Sequence, residues 1–194
     1  AKYDLDLELE NFISSDLAIS LERVSNDSYL KIFSSHITET DSLRPKNFNK
    51  LENKFKIFLN NEKYFLESGL ETFETLNSSP SDRYQYILPY YNLDWFIDQN
   101  YFNGSFNFNS NGANDLNNTN KLETSIINDL NYFSNESYLK TGIKSNYSIN
   151  FKNLNSVGKN SSKYKSSPQI EFVSLFNAEL SLPLIKKFEN YTNL

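Results

Sequence analysis

The chain has 194 residues, with five Gly, five Pro, no Cys, no Met and a formal net charge of −5. Without Cys there is neither a disulfide scaffold nor a Cys-ligated metal site, and the scattered Lys residues form no basic patch of the kind nucleic-acid binding requires. No apolar run approaches the ~20 residues of a membrane helix, whereas a transmembrane strand needs only ~9 to 11 residues and its polar face accommodates a negative mean hydropathy.

Apolar/polar alternation starts at once. Tyr3 to Glu10 sets Leu5, Leu7 and Leu9 on one side of a strand and Asp4, Asp6, Glu8 and Glu10 on the other. Four carboxylates on one face need water, because burial in an apolar medium without partners is costly. A short link at Ile13 to Asp16 follows, then a long one from Asn26 to Pro45. Within the long link the only histidine, His36, sits among Ser34, Ser35, Thr38, Glu39 and Asp41, superficially a nucleophile with its base. A loop rich in Ser and acidic residues produces that neighbourhood without catalysis, so no catalytic residue is assigned.

A two-residue turn at Asn61-Glu62 pairs Leu59 with Tyr64, Ile57 with Leu66 and Phe55 with Ser68 on an apolar face. The other face pairs Phe58 with Phe65, Lys56 with Glu67 and Lys54 with Gly69, and extends to Glu71. After a long link from Asn77 to Arg83, Tyr84, Tyr86, Tyr90, Tyr91, Trp95 and Phe96 crowd one strand, as aromatics do at membrane interfaces. A turn centred on Gln99-Asn100 brings Ile97 to Phe102, Trp95 to Gly104, Leu93 to Phe106 and Tyr91 to Phe108. The Asn-rich tract Asn109 to Asn120 lacks the spaced acidic ligands of a calcium loop and reads as a flexible external loop, with Ser110 to Asn120 as the next long link. Asn103-Gly-Ser and Asn146-Tyr-Ser match the glycosylation triplet only as expected of so Asn-rich a chain.

After a short link at Ser134 to Glu136, Tyr138 to Lys152 alternates cleanly: Leu139, Ile143, Tyr147, Ile149 and Phe151 oppose Lys140, Lys144, Asn146, Ser148, Asn150 and Lys152. A long link from Asn153 to Ser167 and a short one from Lys186 to Asn190 complete the series. The expectation is an all-β fold: an antiparallel up-and-down meander of about nine strands, forming an arc of a large transmembrane outer-membrane β-barrel with alternating short and long links. The charged faces (Asp4 to Glu10, Lys54 and Lys56 with Glu67 and Glu71, and Lys140 with Lys144) are expected to line a hydrated lumen. The lack of Met, the strand opening at Ala1 and the apparent strand start at Tyr191 to Leu194 suggest one partial barrel domain of a longer chain.

The segment Leu21-Glu-Arg-Val-Ser-Asn-Asp-Ser-Tyr-Leu-Lys-Ile-Phe33, carrying Val24, Ser25, Asp27, Tyr29, Leu30 and Phe33, resembles one in the LptD family of outer-membrane lipopolysaccharide-assembly proteins. Phe73-Glu-Thr-Leu76, a polar loop, and then Tyr84 to Leu88-Pro89 are similar to that family's strand end and following Leu-Pro strand. Asn26 and Ile32 stand where the family has Asp, and the family's jellyroll, cysteines and gate strands have no counterpart here. The resemblance implies a barrel wall in the outer membrane of a Gram-negative bacterium. It also implies lipopolysaccharide as cargo, an LptE-like lipoprotein plug, periplasmic bridge proteins as partners through a domain outside this window, and no cofactor. Tyr29, Leu30 and Phe33 are too apolar to stay solvated and are expected to fold back on the barrel. A generic porin and a soluble all-β binding module are the alternatives.

Overall fold

A computed structural model describes residues 1–36, 47–97, 101–118 and 120–182. The strands are β1 (Lys2–Asp6), β2 (Ser14–Ser20), β3 (Lys50–Asn60), β4 (Tyr64–Thr75), β5 (Tyr84–Ile97), β6 (Gly104–Asn117), β7 (Lys121–Ser134), β8 (Ser137–Tyr138), β9 (Lys144–Lys159) and β10 (Gln169–Ser181). They form a single antiparallel sheet in the order β1-β2-β3-β4-β5-β6-β7-β9-β10, with the two-residue β8 pairing only with β9. The fold is therefore an all-β meander. The sheet is open, with β1 and β10 at its two ends.

Both predicted hairpin registers are displaced by an even number of residues. In the first, the Asn61 N–H bonds to the Tyr64 carbonyl at 2.9 Å, and the Asn61 side chain accepts the N–H groups of Lys63 (2.8 Å) and Tyr64 (2.9 Å). This Asx-type turn moves the centre to Glu62-Lys63. Leu59 therefore faces Leu66, and Lys56 faces Gly69. In the second, Trp95 faces Phe108 and Leu93 faces Ser110. Phe102 leaves the sheet in a 3-10 turn (Tyr101–Asn103) at φ 56° and is 82% exposed. The expected turn centre at Gln99-Asn100 lies outside the described residues. An even displacement changes partners but returns every side chain to its expected face, because the side-chain period of a strand is two.

The alternation of short and long links does not hold. Residues 110–117 belong to β6, bonded to β5 and β7, which removes them from the expected external loop from Ser110 to Asn120. Its Asn residues pair in the sheet, where Asn111 faces Asn92 and Asn109 faces Asp129. β9 continues to Lys159, which removes residues 153–159 from the expected long link. The Lys186 to Asn190 link and the Tyr191 to Leu194 strand start lie outside the described residues.

Two expected strands are also shorter at one end. The chain leaves β1 at Asp6, whose side chain accepts the Glu8 N–H at 2.9 Å while Glu8 takes φ 49°. Leu139 to Ile143 forms a tight turn through Gly142 at φ 81°, with the Leu139 N–H bonded to the Ile143 carbonyl at 2.8 Å. Lys140 and Ile143 consequently lie outside β9.

Three strand glycines are each covered by a tyrosine. Gly69 lies under Tyr90, Gly104 under Tyr132 and Gly112 under Tyr91. Bare backbone accepts the flat ring, and the ring restores contacts that glycine lacks. A Cβ on Gly112 would meet Tyr91 Cε1 at 2.6 Å. Gly112→Ala is expected to destabilise the sheet by about 1–3 kcal/mol in urea unfolding, as overpacking does. The loss should be smaller when Tyr91→Ala is also present, because the clash is with that ring.

Candidate functional site

The registers carry the two faces of the sheet through every strand in phase. The apolar face holds Tyr3 and Leu5, Leu17 and Ile19, Phe55, Ile57 and Leu59, Leu66, Leu93 and Trp95, Phe106 and Phe108, Leu130 and Tyr132, Ile149 and Phe151, and Phe172 and Phe176. No second layer covers most of it: Leu5 is 56% exposed, Trp95 44%, Phe151 43% and Phe176 63%. Among the described residues the only buried large apolar side chains are Leu30, Leu51, Leu76 and Tyr132. Exposed apolar surface far larger than a few hundred Å² marks an interaction surface.

The opposite face is polar and cross-linked. Lys56 binds Glu67 at 2.8 Å and Glu71 at 3.2 Å, Lys54 binds Glu52 and, at 3.8 Å, Glu71, and the Tyr90 hydroxyl donates to Glu67 at 3.0 Å. The expected Lys56–Glu67 contact thus forms as a diagonal pair, because Gly69 takes the direct position and leaves both glutamates within reach. Farther along, Lys152 binds Asp129 at 2.9 Å, and Asn150 donates to Asp129 at 2.8 Å and to Asn131.

The expected polar-face residues divide. Asp4 and Asp6 lie on this face in β1, and Lys54, Lys56, Glu67 and Glu71 form one network. Lys144 opens β9 and binds Glu136 at 2.5 Å. Glu8 and Glu10 fall in the link before β2, and Lys140 falls in the turn after β8. Sequence reasoning placed Asn150 and Lys152 on the polar side but missed their partner Asp129, and it missed the bond from Tyr90 to Glu67. The signal for Asp129 is weak, since Ile126 and Ile127 interrupt the alternation of β7.

The segment after Val24 closes one corner. A helical turn, α1 (Tyr29–Ile32), places Leu30 against Leu51 and Leu76, flanked by Val24 and Phe48. Asp27 clamps Arg83 through paired bonds of 2.9 and 2.7 Å and accepts the Asn77 N–H at 3.0 Å, and Arg83 also binds Glu74 at 2.6 Å. The expected fold-back therefore occurs at Leu30. Tyr29 and Phe33 pack on each other with centroids 4.7 Å apart and ring planes tilted by 41°, and both stay 41% exposed. Ser25 is exposed. His36 lies edge-on to Phe33 at 6.2 Å, and the Thr38, Glu39 and Asp41 of its expected neighbourhood lie outside the described residues. Among the described residues no group of three His, Cys, Asp or Glu is placed to hold a metal.

No protein-family model matches the chain, and a search of curated proteins finds no match.

Two predictions follow from these geometries. Lys56→Gln is expected to cost about 0.5–1 kcal/mol in urea unfolding at low salt and less at 1 M salt, because a partly exposed network is screened. Hydrogen bonds from Arg83 and from the Asn77 backbone hold the Asp27 carboxyl below its usual value of 3.8. The clamp therefore stabilises the fold above the ordinary carboxylate range and is lost as pH falls through the lowered value. Asp27→Asn should accelerate proteolysis within residues 25–33 at pH 7, and its stability difference from the native chain should vanish at the acid end of the titration.

Proposed function

We propose that this sheet is part of the wall of an outer-membrane β-barrel, with the apolar face toward lipid and the charged face toward a hydrated lumen. The observation that carries the reading is that the large apolar side chains of the meander gather on one face and the charged network on the other, with the apolar face left uncovered. Up-and-down strands with apolar-out, polar-in alternation are how chains cross a bilayer without edges in the hydrocarbon. The ion-pair network on the other face suits water, since its members keep about a fifth of their side-chain surface exposed: 21% for Lys56 and 23% for Glu67. On this reading the barrel closes through strands beyond the open edges of β1 and β10.

The finer proposal is assembly of lipopolysaccharide into the outer leaflet, with an LptE-like lipoprotein inside the lumen and periplasmic bridge proteins delivering the cargo. Its support is the resemblance of Leu21 to Phe33 and of Phe73 to Pro89 to the LptD family, together with the docking of Leu30 and the Asp27–Arg83 clamp, which give that first segment a defined seat on the sheet. In this role the sheet supplies wall, lumen surface and loops, and performs no chemistry of its own.

Trp95, the single tryptophan, lies on the apolar face. Its fluorescence is expected to be quenched by lipids brominated on their acyl chains when the protein is reconstituted in vesicles. An unquenched, fully folded protein would mean that another protein sheet covers this face. The polar substitution that tests lipid contact is at Ile149, between Tyr132 and Phe176. Ile149→Lys should cost about 2–4 kcal/mol in urea unfolding from bilayers, the cost of a mid-bilayer Lys.

A further inference from the structure

One register row crosses the apolar face through Leu59, Leu66, Leu93, Ser110, Asn128 and Asn153, each the direct partner of the next. The row is apolar on β3 to β5 and polar on β6 to β9. Its polar half is tightly joined: Ser110 donates to Asn128 at 2.7 Å, Asn128 donates to Asn153 at 3.1 Å, and the Tyr91 hydroxyl lies 3.0 Å from Ser110. Ser110 and Asn153 are only 5% and 8% exposed. If the hydrocarbon ran along the register rows, this ladder would sit at the depth of Leu59 and Leu66, where polar groups are disfavoured.

The apolar residues move instead along the strands from one edge of the sheet to the other. On β3 they lie from Leu59 toward Phe55, on the side of the row away from the 61–63 turn. On β9 they lie on the opposite side, from Phe151 to Tyr147, and on β10 they reach Leu180. Ser15, the partner of Leu59 on β2, is already polar while Leu17 and Ile19 continue the band, so the displacement has the same sense there. Ile126 lies one step beyond the band, and on β10 both Phe172, the partner of Asn153, and Ile170 lie beyond it.

Between Leu59 on β3 and Leu180 on β10 the lower edge shifts by eight residues along the strands over six strand spacings. At ~3.3 Å per residue and ~4.8 Å per strand that is an incline of about 40°. Barrel strands tilt by about 35–45°. The side chains with polar tips follow the same sense: Tyr64 and Trp95 share one row, Tyr132 lies two residues lower on β7 and Tyr147 two lower again on β9, as interfacial aromatics do.

We propose that the bilayer boundary crosses this sheet obliquely, at about 40° to the register rows, the tilt of barrel strands. Tyr64, Trp95, Tyr132 and Tyr147 mark one interface, and the Ser110–Asn128–Asn153 ladder lies at the other, against lipid headgroups. The inference rests on the reading that the apolar face meets lipid. It adds the depth of each strand and a headgroup-contact surface on β6, β7 and β9.

Leu70 and Val157 test it, because each lies four residues beyond the row toward the same end of the sheet. The native chain has no Cys, so Leu70→Cys and Val157→Cys each carry a single nitroxide. In phosphatidylcholine vesicles, oxygen should relax the label at position 70 and a water-soluble nickel chelate the label at 157, at least several-fold more effectively than the reverse. Equal or reversed immersion overturns the oblique boundary and leaves lipid contact standing. Absence of oxygen access at both positions overturns lipid contact and the oblique boundary together. Bromolipid quenching of Trp95 in each variant confirms native insertion, and Phe55→Cys with Thr124→Cys, the register partners of the same two residues, replace any variant that fails it.

Discussion

Every feature of this sheet depends on keeping a period of two in phase across strands whose ends are irregular. Turns of different length join the strands, and a bulge interrupts β5 opposite both β4 and β6. Yet the apolar side chains of β1 still share a face with those of β10. An odd displacement in a turn would send the charged residues of all subsequent strands to the apolar side, whereas the β5 bulge sets the three-residue step from Ile87 to Tyr90 against two-residue steps on both neighbours, so its slip stays within β5. The Asx turn at Asn61 meets that constraint, since it displaces the expected register by two residues.

The same constraint explains where stability resides. A sheet of one layer has almost no interior, and the buried cluster of Leu30, Leu51 and Leu76 occupies only one corner. The remaining order comes from ladders along the sheet: backbone pairing, tyrosines over Gly69, Gly104 and Gly112, and polar side chains that bridge neighbouring strands on both faces. Because no packed second layer supplies hydrophobic free energy, the apolar face needs an external medium. A bilayer provides one that accepts every orientation of Leu, Ile and Phe, provided its boundary runs where the apolar residues end. On the proposed reading, an oblique boundary would account for a polar ladder sharing a row with leucines.

Alternation in the chain determined the fold class, the meander order and the face of nearly every strand residue, because side-chain direction in a strand depends only on parity. The Lys56 network was legible for that reason, even though its direct partner proved to be Gly69. Parity could not locate strand ends or turn centres. Those were decided by Asp6 accepting the Glu8 N–H, by Asn61 closing its own turn and by Gly142 at positive φ, all local bonds that the hydrophobic pattern does not encode.

The Asn-rich tract shows the limit most plainly. Asn is a turn former in isolation, so Asn109 to Asn117 reads as a loop, but in the sheet both flanking strands pair with it, and Asn92, Asp94 and Asp129 line up beside its side chains. The incline of the apolar band likewise lies outside any single strand. Each strand shows which of its residues are apolar, and only the registers between strands show that these residues descend together across the sheet.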